Sequence, residues 1–378
     1  MKKHIFLLTA TAAMLALFAC SKDADPTPYP DAATGCNLTV RIGHEPATKS
    51  DYDQRLDFQI SSVQVFVFDS GGKMETDYYS DITPTSNPIS VNIATFTGDK
   101  TVYAVTNYQR LTLAKDYSIT DFEALTSDLS DNSPTKLVMV GKNQITVTEY
   151  DKNKNPSATA QSLSIYVKRL SAMVVLDKIT VDFSNTSLSG ATFSIQEIYL
   201  KNVVGKCRLG LDGLTGSAGA DVVPLALTDT DHTNYDLWYN KGSKQASGAP
   251  AVIVDTWTHN CTEVAGGEGN SLKRCLFAYP NKTTGDSHST QFDQRKTRLV
   301  VKALVTKTGV TPDAGVATYY VFDLPVLVAN RVYRFSNIVI TMLGKDNDNS
   351  DEDLQAGKVS PVITVDSWVN ADPLTFEF

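Results

Sequence analysis

Histidine and cysteine are scarce, with five of each in 378 residues. That leaves little from which to build a metal centre or a thiol–imidazole pair, and the few present are scattered. His4, His44, His232, His259 and His288 show no HExxH or HxH spacing. The GxSxG, GxxxxGK[ST] and GxGxxG signatures are missing too, which removes the usual marks of hydrolases, P-loop proteins and dinucleotide-binding folds. His259 stands near Cys261, but nothing in the flanks supports a catalytic pair. No enzyme activity, cofactor or resident metal is therefore expected. Basic charge is also deficient: 34 Lys and Arg against 42 Asp and Glu give a formal net charge of -8. An acidic chain is a poor match for a phosphate backbone, so no nucleic-acid partner is expected.

Long apolar runs are lacking after the first twenty residues. Lys2 and Lys3 precede an apolar run from Ile5 to Phe18, which is too short for a comfortable membrane span and reads as an export signal. It ends in Leu17-Phe18-Ala19-Cys20, which resembles a bacterial lipobox. Cleavage would remove residues 1–19, and acylation of Cys20 would tether the chain to the outer membrane through lipid alone. Residues 20–35 are polar and contain proline, as a flexible tether would be. Ser21-Lys22-Asp23 resembles the surface-export signal of Bacteroidales lipoproteins.

What is abundant is short alternating strand. Cys36–Gly43, Val63–Phe68, Thr101–Tyr108, Leu137–Val140, Ile145–Thr148 and Leu163–Val167 carry β-branched or aromatic residues between turn signals. Further strands are expected at Met173–Leu176, Ile179–Phe183, Phe193–Leu200, Leu276–Tyr279, Thr297–Thr306, Thr318–Leu327 and Arg331–Met342. One short helix is expected: Thr120-Asp-Phe-Glu123 fits a capping box, and Phe122, Leu125 and Leu129 share a helical face. Residues 205–270, rich in Gly, Ser, Ala and Asp, read as long rim loops. This pattern predicts an all-β chain with minor α content, built as a β-sandwich or two.

Alternation continues into the C-terminus, where most chains fray. Val359, Pro361, Ile363 and Val365 share one face, and Leu374, Phe376 and Phe378 alternate to the last residue. Such a tail pairs with a sheet, its own or another chain's. Asp346–Asp353 resembles half of a calcium loop, but Asp351 stands where glycine is needed and Gly357 where glutamate is needed. A solvated acidic hairpin is the expectation there.

Cys36, Cys207, Cys261 and Cys275 remain after export, and their spacing leaves all three connectivities open. The segment from His44 to Phe58 is polar and holds Lys49 and Arg55, each a candidate protease site between two strands.

Several pieces in order resemble the type V pilins, the fimbrillin or major fimbrial subunit family of Bacteroidales. They are the lipobox, Leu38–Ile42, Val63–Asp69, Val102–Asn107, Met139–Gly141, Val167–Val174, Phe277–Asn281 and Asn330–Phe335 through Trp368. The resemblance implies two transthyretin-like β-sandwich domains in tandem, here taken as residues 36–165 and 166–378. It also implies a life history. A lipoprotein precursor reaches the cell surface, and a trypsin-like or arginine-specific protease removes the lipidated end with the first strand. C-terminal strands of an identical or related subunit then fill the groove, giving an extracellular fimbrium that supports adhesion. Arg55 is the expected cleavage residue and Lys49 the second, and the expected donor residues are Ile363, Val365, Leu374, Phe376 and Phe378. On this reading a Cys36–Cys207 bond would hold the plug in place and is not expected, whereas Cys261–Cys275 is the expected bond. Other readings are a tip or anchor subunit, or a monomeric surface lipoprotein binding a glycan or host protein through Trp238, Tyr239 and Trp257.

Overall fold

The computed structural model describes residues 36–43, 59–85, 88–132, 136–148, 161–201, 203–204, 206–210, 238–240, 243–244, 261–264, 271–281, 296–346, 363–367 and 374–375. The chain is all-β, in several sheets, with little helix. Its first half builds two facing sheets. One has three strands: β1 (Cys36–Gly43) lies between β4 (Ile89–Thr95) and β8 (Gln161–Tyr166). The other has five, in the order β3 (Met74–Thr85), β2 (Ile60–Phe68), β5 (Gly98–Thr106), β7 (Met139–Val147) and β9 (Lys168–Arg169).

The two sheets share one core. Leu38, Val40 and Ile42 from β1 meet Val63, Val65 and Val67 from β2 and Val102 and Ala104 from β5. Alternation along β2 then sends Phe66 and Phe68 to the opposite face. There they meet the helix α1 (Ile119–Ala124), whose Phe122 ring lies 4.9 Å from Phe66, 5.4 Å from Phe68 and 4.9 Å from Tyr103. A β-strand buried on both faces is why β2 reads as a nearly continuous apolar run.

The helix starts two residues earlier than its capping signal suggests. Ser118, not Thr120, is the N-cap: its Oγ accepts from the Asp121 N–H at 3.0 Å. Glu123 does not reach back to a cap. Its carboxylate accepts from the Tyr103 hydroxyl and from Lys142 at 3.3 Å. Nor does one helical face run to Leu129, because β6 (Thr126–Asp128) interrupts it and Leu129–Asp131 forms a separate 3-10 turn. The expected pieces at 137–140 and 145–148 are one continuous strand, β7, passing through Gly141.

In the second half, β10 (Ala172–Val181), β17 (Ser271–Ala278) and β20 (Arg331–Phe335) belong to one sheet. That sheet continues to β22 (Ile363–Ser367) and β23 (Leu374–Thr375), with β21 (Ile338–Ile340) also pairing to β10. A second sheet runs β16 (Cys261–Val264), β11 (Thr192–Lys201), β18 (Arg298–Thr306), β19 (Val316–Asp323). β10, β11, β18 and β20 all contribute to the larger core, with Val175, Phe193, Val301 and Phe335 among its members. Three corrections arise here. The two expected strands at 173–183 are one strand, β10, and the single expected strand at 331–342 is two, β20 and β21. Part of the region 205–270, expected to be loop, is strand: β13 (Lys206–Arg208), β14 (Trp238–Asn240), β15 (Ser243–Lys244) and β16, with β12 (Val203–Val204) just ahead of it.

One charged cluster gives the second half a pH dependence. Asp323 accepts from Arg298 Nε at 2.7 Å and from Lys296 Nζ at 3.0 Å. Burial alone would raise its carboxyl, but the two cations outweigh burial and hold it below the ordinary 3.8. A depressed folded pKa contributes stability that is fully present above the unfolded value and is lost as pH falls through the folded one. Asp323→Asn should therefore flatten the decline in melting temperature below about pH 4, measured against the unchanged chain. An equally steep decline in the variant would contradict this.

Candidate functional site

The candidate site is β1 and its seat. β1 is antiparallel to β4 from Cys36↔Thr95 to Ile42↔Ile89, and parallel to β8 from Leu38↔Gln161 to Gly43↔Tyr166. It is thus the middle strand of its sheet, and both of its backbone edges are paired. Leu38, Val40 and Ile42 have no solvent exposure, while Asn37 and Arg41 on the alternate face are exposed. The strand is fastened at both ends. Cys36 Sγ donates to the Thr148 carbonyl at 3.5 Å, and the Gly43 carbonyl accepts from Val167 N–H at 2.9 Å. Midway, Thr39 Oγ1 donates to Asn92 Oδ1 at 2.8 Å.

Two features that the sequence did not single out shape this seat. Gly141 on β7 lets the end of β8 approach closely: a Cβ there would lie 2.5 Å from the Tyr166 carbonyl oxygen and 2.7 Å from Ile165 Cγ2. Asn107, just past β5, has a positive φ of 60° and is buried. A lone glycine inside a strand pattern and an asparagine ending a strand are the available signals, and each has several readings.

The sequence-derived candidates fall unevenly. Cys20, Lys49, Arg55, Trp257, Phe376 and Phe378 lie outside the described residues. Ile363 and Val365 lie on β22, which pairs with β20 through Phe335↔Ile363 and Tyr333↔Val365. Leu374 lies on β23, opposite Val365. The backbone therefore brings these three donor candidates together at the edge of the chain's own sheet. Cys261 lies on β16 opposite Ile195, and Cys275 on β17 opposite Val175, in two different sheets. Trp238 and Tyr239 lie on β14, paired with β12. Among the described residues, no group of three or more His, Cys, Asp or Glu is arranged to hold a metal.

Cys207 is buried on β13, which pairs with β6. Its thiol is pushed strongly upward by burial, which makes it an inert thiol rather than a nucleophile. Beside it the buried Tyr279 hydroxyl joins segments far apart in sequence. It lies 2.8 Å from Ser127 Oγ, accepts from Asn132 Nδ2 at 2.9 Å and donates to the Asp128 carbonyl at 3.1 Å. Burial raises the Tyr279 pKa, and the nearby Cys207 adds to that, so the phenol stays neutral. Burial also raises Asp131, although it accepts from the Asp128 N–H and Ser127. Tyr279→Phe would leave Ser127 Oγ and Asn132 Nδ2 without this partner. We expect a loss of about 1–3 kcal/mol in urea unfolding, and an unchanged midpoint would show the network to be unimportant.

The comparisons with known proteins come to bear on this geometry. A family model described as "Major fimbrial subunit protein (FimA)" matches residues 36–182, the stretch that contains β1 and its whole seat. Comparison with curated proteins finds no match. Among solved structures, the chain is similar to a fimbrilin from Porphyromonas gingivalis, with 15% identity and a TM-score of 0.56 over 90% of this chain and 99% of that one. It is also similar to a candidate cell adhesion protein from Bacteroides eggerthii, with 16% identity and a TM-score of 0.58 over 89% of this chain and 97% of that one. A third, from Parabacteroides distasonis and of the same description, has 13% identity and a TM-score of 0.57 over 90% and 99%. At such identities these likenesses speak to the fold.

Proposed function

We propose, from the match of residues 36–182 to the major fimbrial subunit protein family model, that the chain is a structural subunit of a cell-surface fimbrium and that it assembles by strand exchange. It is exported as an outer-membrane lipoprotein through Cys20. A trypsin-like protease cuts after Arg55, with Lys49 the second choice, and β1 leaves with the lipidated end. The cut product runs from Leu56 to Phe378.

The observation that carries this reading is the position of β1. It is the central strand of a three-stranded sheet, and it is the first strand among the described residues. Taking it away uncovers the apolar core and leaves β4 and β8 with unpaired backbone edges. An extended segment from a second subunit satisfies both needs, and its alternate side chains set the register. Ile363, Val365, Leu374, Phe376 and Phe378 are suited to that task by their alternation. For β22 to serve, it must first leave β20 of its own subunit. A contact between a groove in one half and a tail in the other does not close on itself, so it yields a filament.

Limited digestion with trypsin tests the proposal. The expected result is one cut between Lys49 and Leu56, followed by an SDS-resistant ladder on an unboiled gel. Deletion of residues 359–378 should abolish the ladder. A cut product that stays monomeric would instead favour an anchor or a monomeric binding module.

A further inference from the structure

We propose that Asn107 is a positioning residue that limits how far the new chain end frays once β1 has left, by clamping the start of β2. This inference rests on the proposed cleavage and deepens it.

The ladder between β2 and β5 begins only at Val63↔Thr106. On its other side, β2 has an irregular register with β3 between Ile60 and Ser62. The first residues of β2 therefore have weak backbone support of their own. Asn107 supplies the missing support. Its positive φ turns the backbone out of the β5 ladder, a conformation that asparagine tolerates better than most residues. Its N–H still donates to the Ser62 carbonyl at 3.1 Å. Its side-chain amide, chemically a peptide group, then continues the pairing. Oδ1 accepts from the Ser61 N–H at 2.8 Å and from Ser61 Oγ at 3.1 Å. Nδ2 donates to the Gln59 carbonyl at 2.8 Å and to the Leu137 carbonyl at 3.0 Å.

Both donors and both acceptor positions of that amide are thus used. They tie β2 to the residues just ahead of β7, with no contribution from β1. A cut after Arg55 places the new end at Leu56, only a few residues before β2. At the same moment, loss of β1 removes Ile42 from the core it shares with Ile60. Without a fastening there, fraying would run into β2, whose Val63 and Val65 form the floor of the groove. With Asn107 in place, fraying ends at Gln59 and the floor stays in place for the incoming strand.

The test uses Asn107→Gly, which keeps the positive φ without strain and removes only the amide. In the uncut chain, amide exchange at Ile60–Val63 should quicken at least about tenfold, with Gln144–Val147 unchanged. After cutting, an aminopeptidase should stop at or before Ile60 in the unchanged protein and continue past Ser62 in the variant. Unchanged exchange in the variant, or the same stopping residue in both, would overturn the proposal. If no cut occurs between Lys49 and Leu56, the processing scheme fails, while the exchange data still judge the clamp itself. Should the variant not fold, the unchanged protein decides. Its Asn107 side-chain amide protons should exchange about a hundredfold more slowly than those of exposed Asn92, and comparable rates would refute the clamp.

Discussion

A chain begun at Leu56 should assemble with no protease at all, and an excess of a peptide spanning Cys36–Gly43 should stop it. The reasoning is energetic. Leu38, Val40 and Ile42 are fully buried in the seat. At about 1.5–3 kcal/mol each, their burial is worth roughly 5–9 kcal/mol, an upper estimate because the unfolded chain already hides some surface. A typical domain has only about 5–15 kcal/mol of net stability. Losing β1 therefore removes a large share of what holds this half together, before counting the backbone ladders to β4 and β8. The groove must be refilled or the half must loosen. On the proposed scheme a neighbour's tail fills it, so filaments should appear on mixing, by light scattering and electron microscopy. The free peptide competes for the same register. A peptide carrying Leu38→Asp and Val40→Asp should not compete, since a charge in that core goes unpaired. Truncated protein that remains monomeric and well folded would sink the scheme.

Much of this architecture was legible in the sequence, and the reason is local. The period-two pattern of Cys36–Gly43 sets which side chains of β1 face inward, and the structure buries those same residues. The Phe122 position was legible too, because one apolar residue on a short helix has a single face to hide. The cap was not, since Ser118-x-x-Asp121 and Thr120-x-x-Glu123 overlap in the same stretch and either could start the helix. The choice was made by Tyr103 and Lys142, which take up Glu123 from a strand away in sequence. The same distance hid the pairing of β13 with β6. Its short polar segment carries no periodicity, and its partner lies far earlier in the chain, at Thr126–Asp128. Asn107 and Gly141 were unreadable for a related reason. Their value depends on Ser61, Leu137 and Tyr166, which only the folded chain brings near. The donor candidates of the tail rest on alternation alone, and the backbone places β22 and β23 in the chain's own sheet.

Gly141→Val should be the most damaging single substitution near the seat, at about 3–5 kcal/mol. At an ordinary strand position, replacing glycine stabilises by roughly 0.4–1 kcal/mol through the unfolded chain. Here the sign reverses because of what lies opposite. The nearest neighbour of the new Cβ is backbone, the Tyr166 carbonyl oxygen at 2.5 Å, with the Tyr166 carbonyl carbon at 3.0 Å. A side chain could swing aside, but backbone can move only with its strand. The end of β8 is pinned in turn: Val167 N–H donates to the Gly43 carbonyl, and β9 right after it pairs back onto β7. Overpacking with no free direction costs about 1–3 kcal/mol for one methyl, and a branched side chain adds to that. The strain should fall on the Gly43 end of β1, since Gly43 and Tyr166 are register partners. Two measurements follow from one variant. Urea unfolding should show a lowered midpoint, and limited proteolysis of the intact chain should release β1 faster at a matched fraction folded. Gly141→Ala should show the same direction at smaller size. If either variant were as stable as the unchanged chain, the close approach of β8 to β7 would not exist in solution, and the seat of β1 would have to be wider than described.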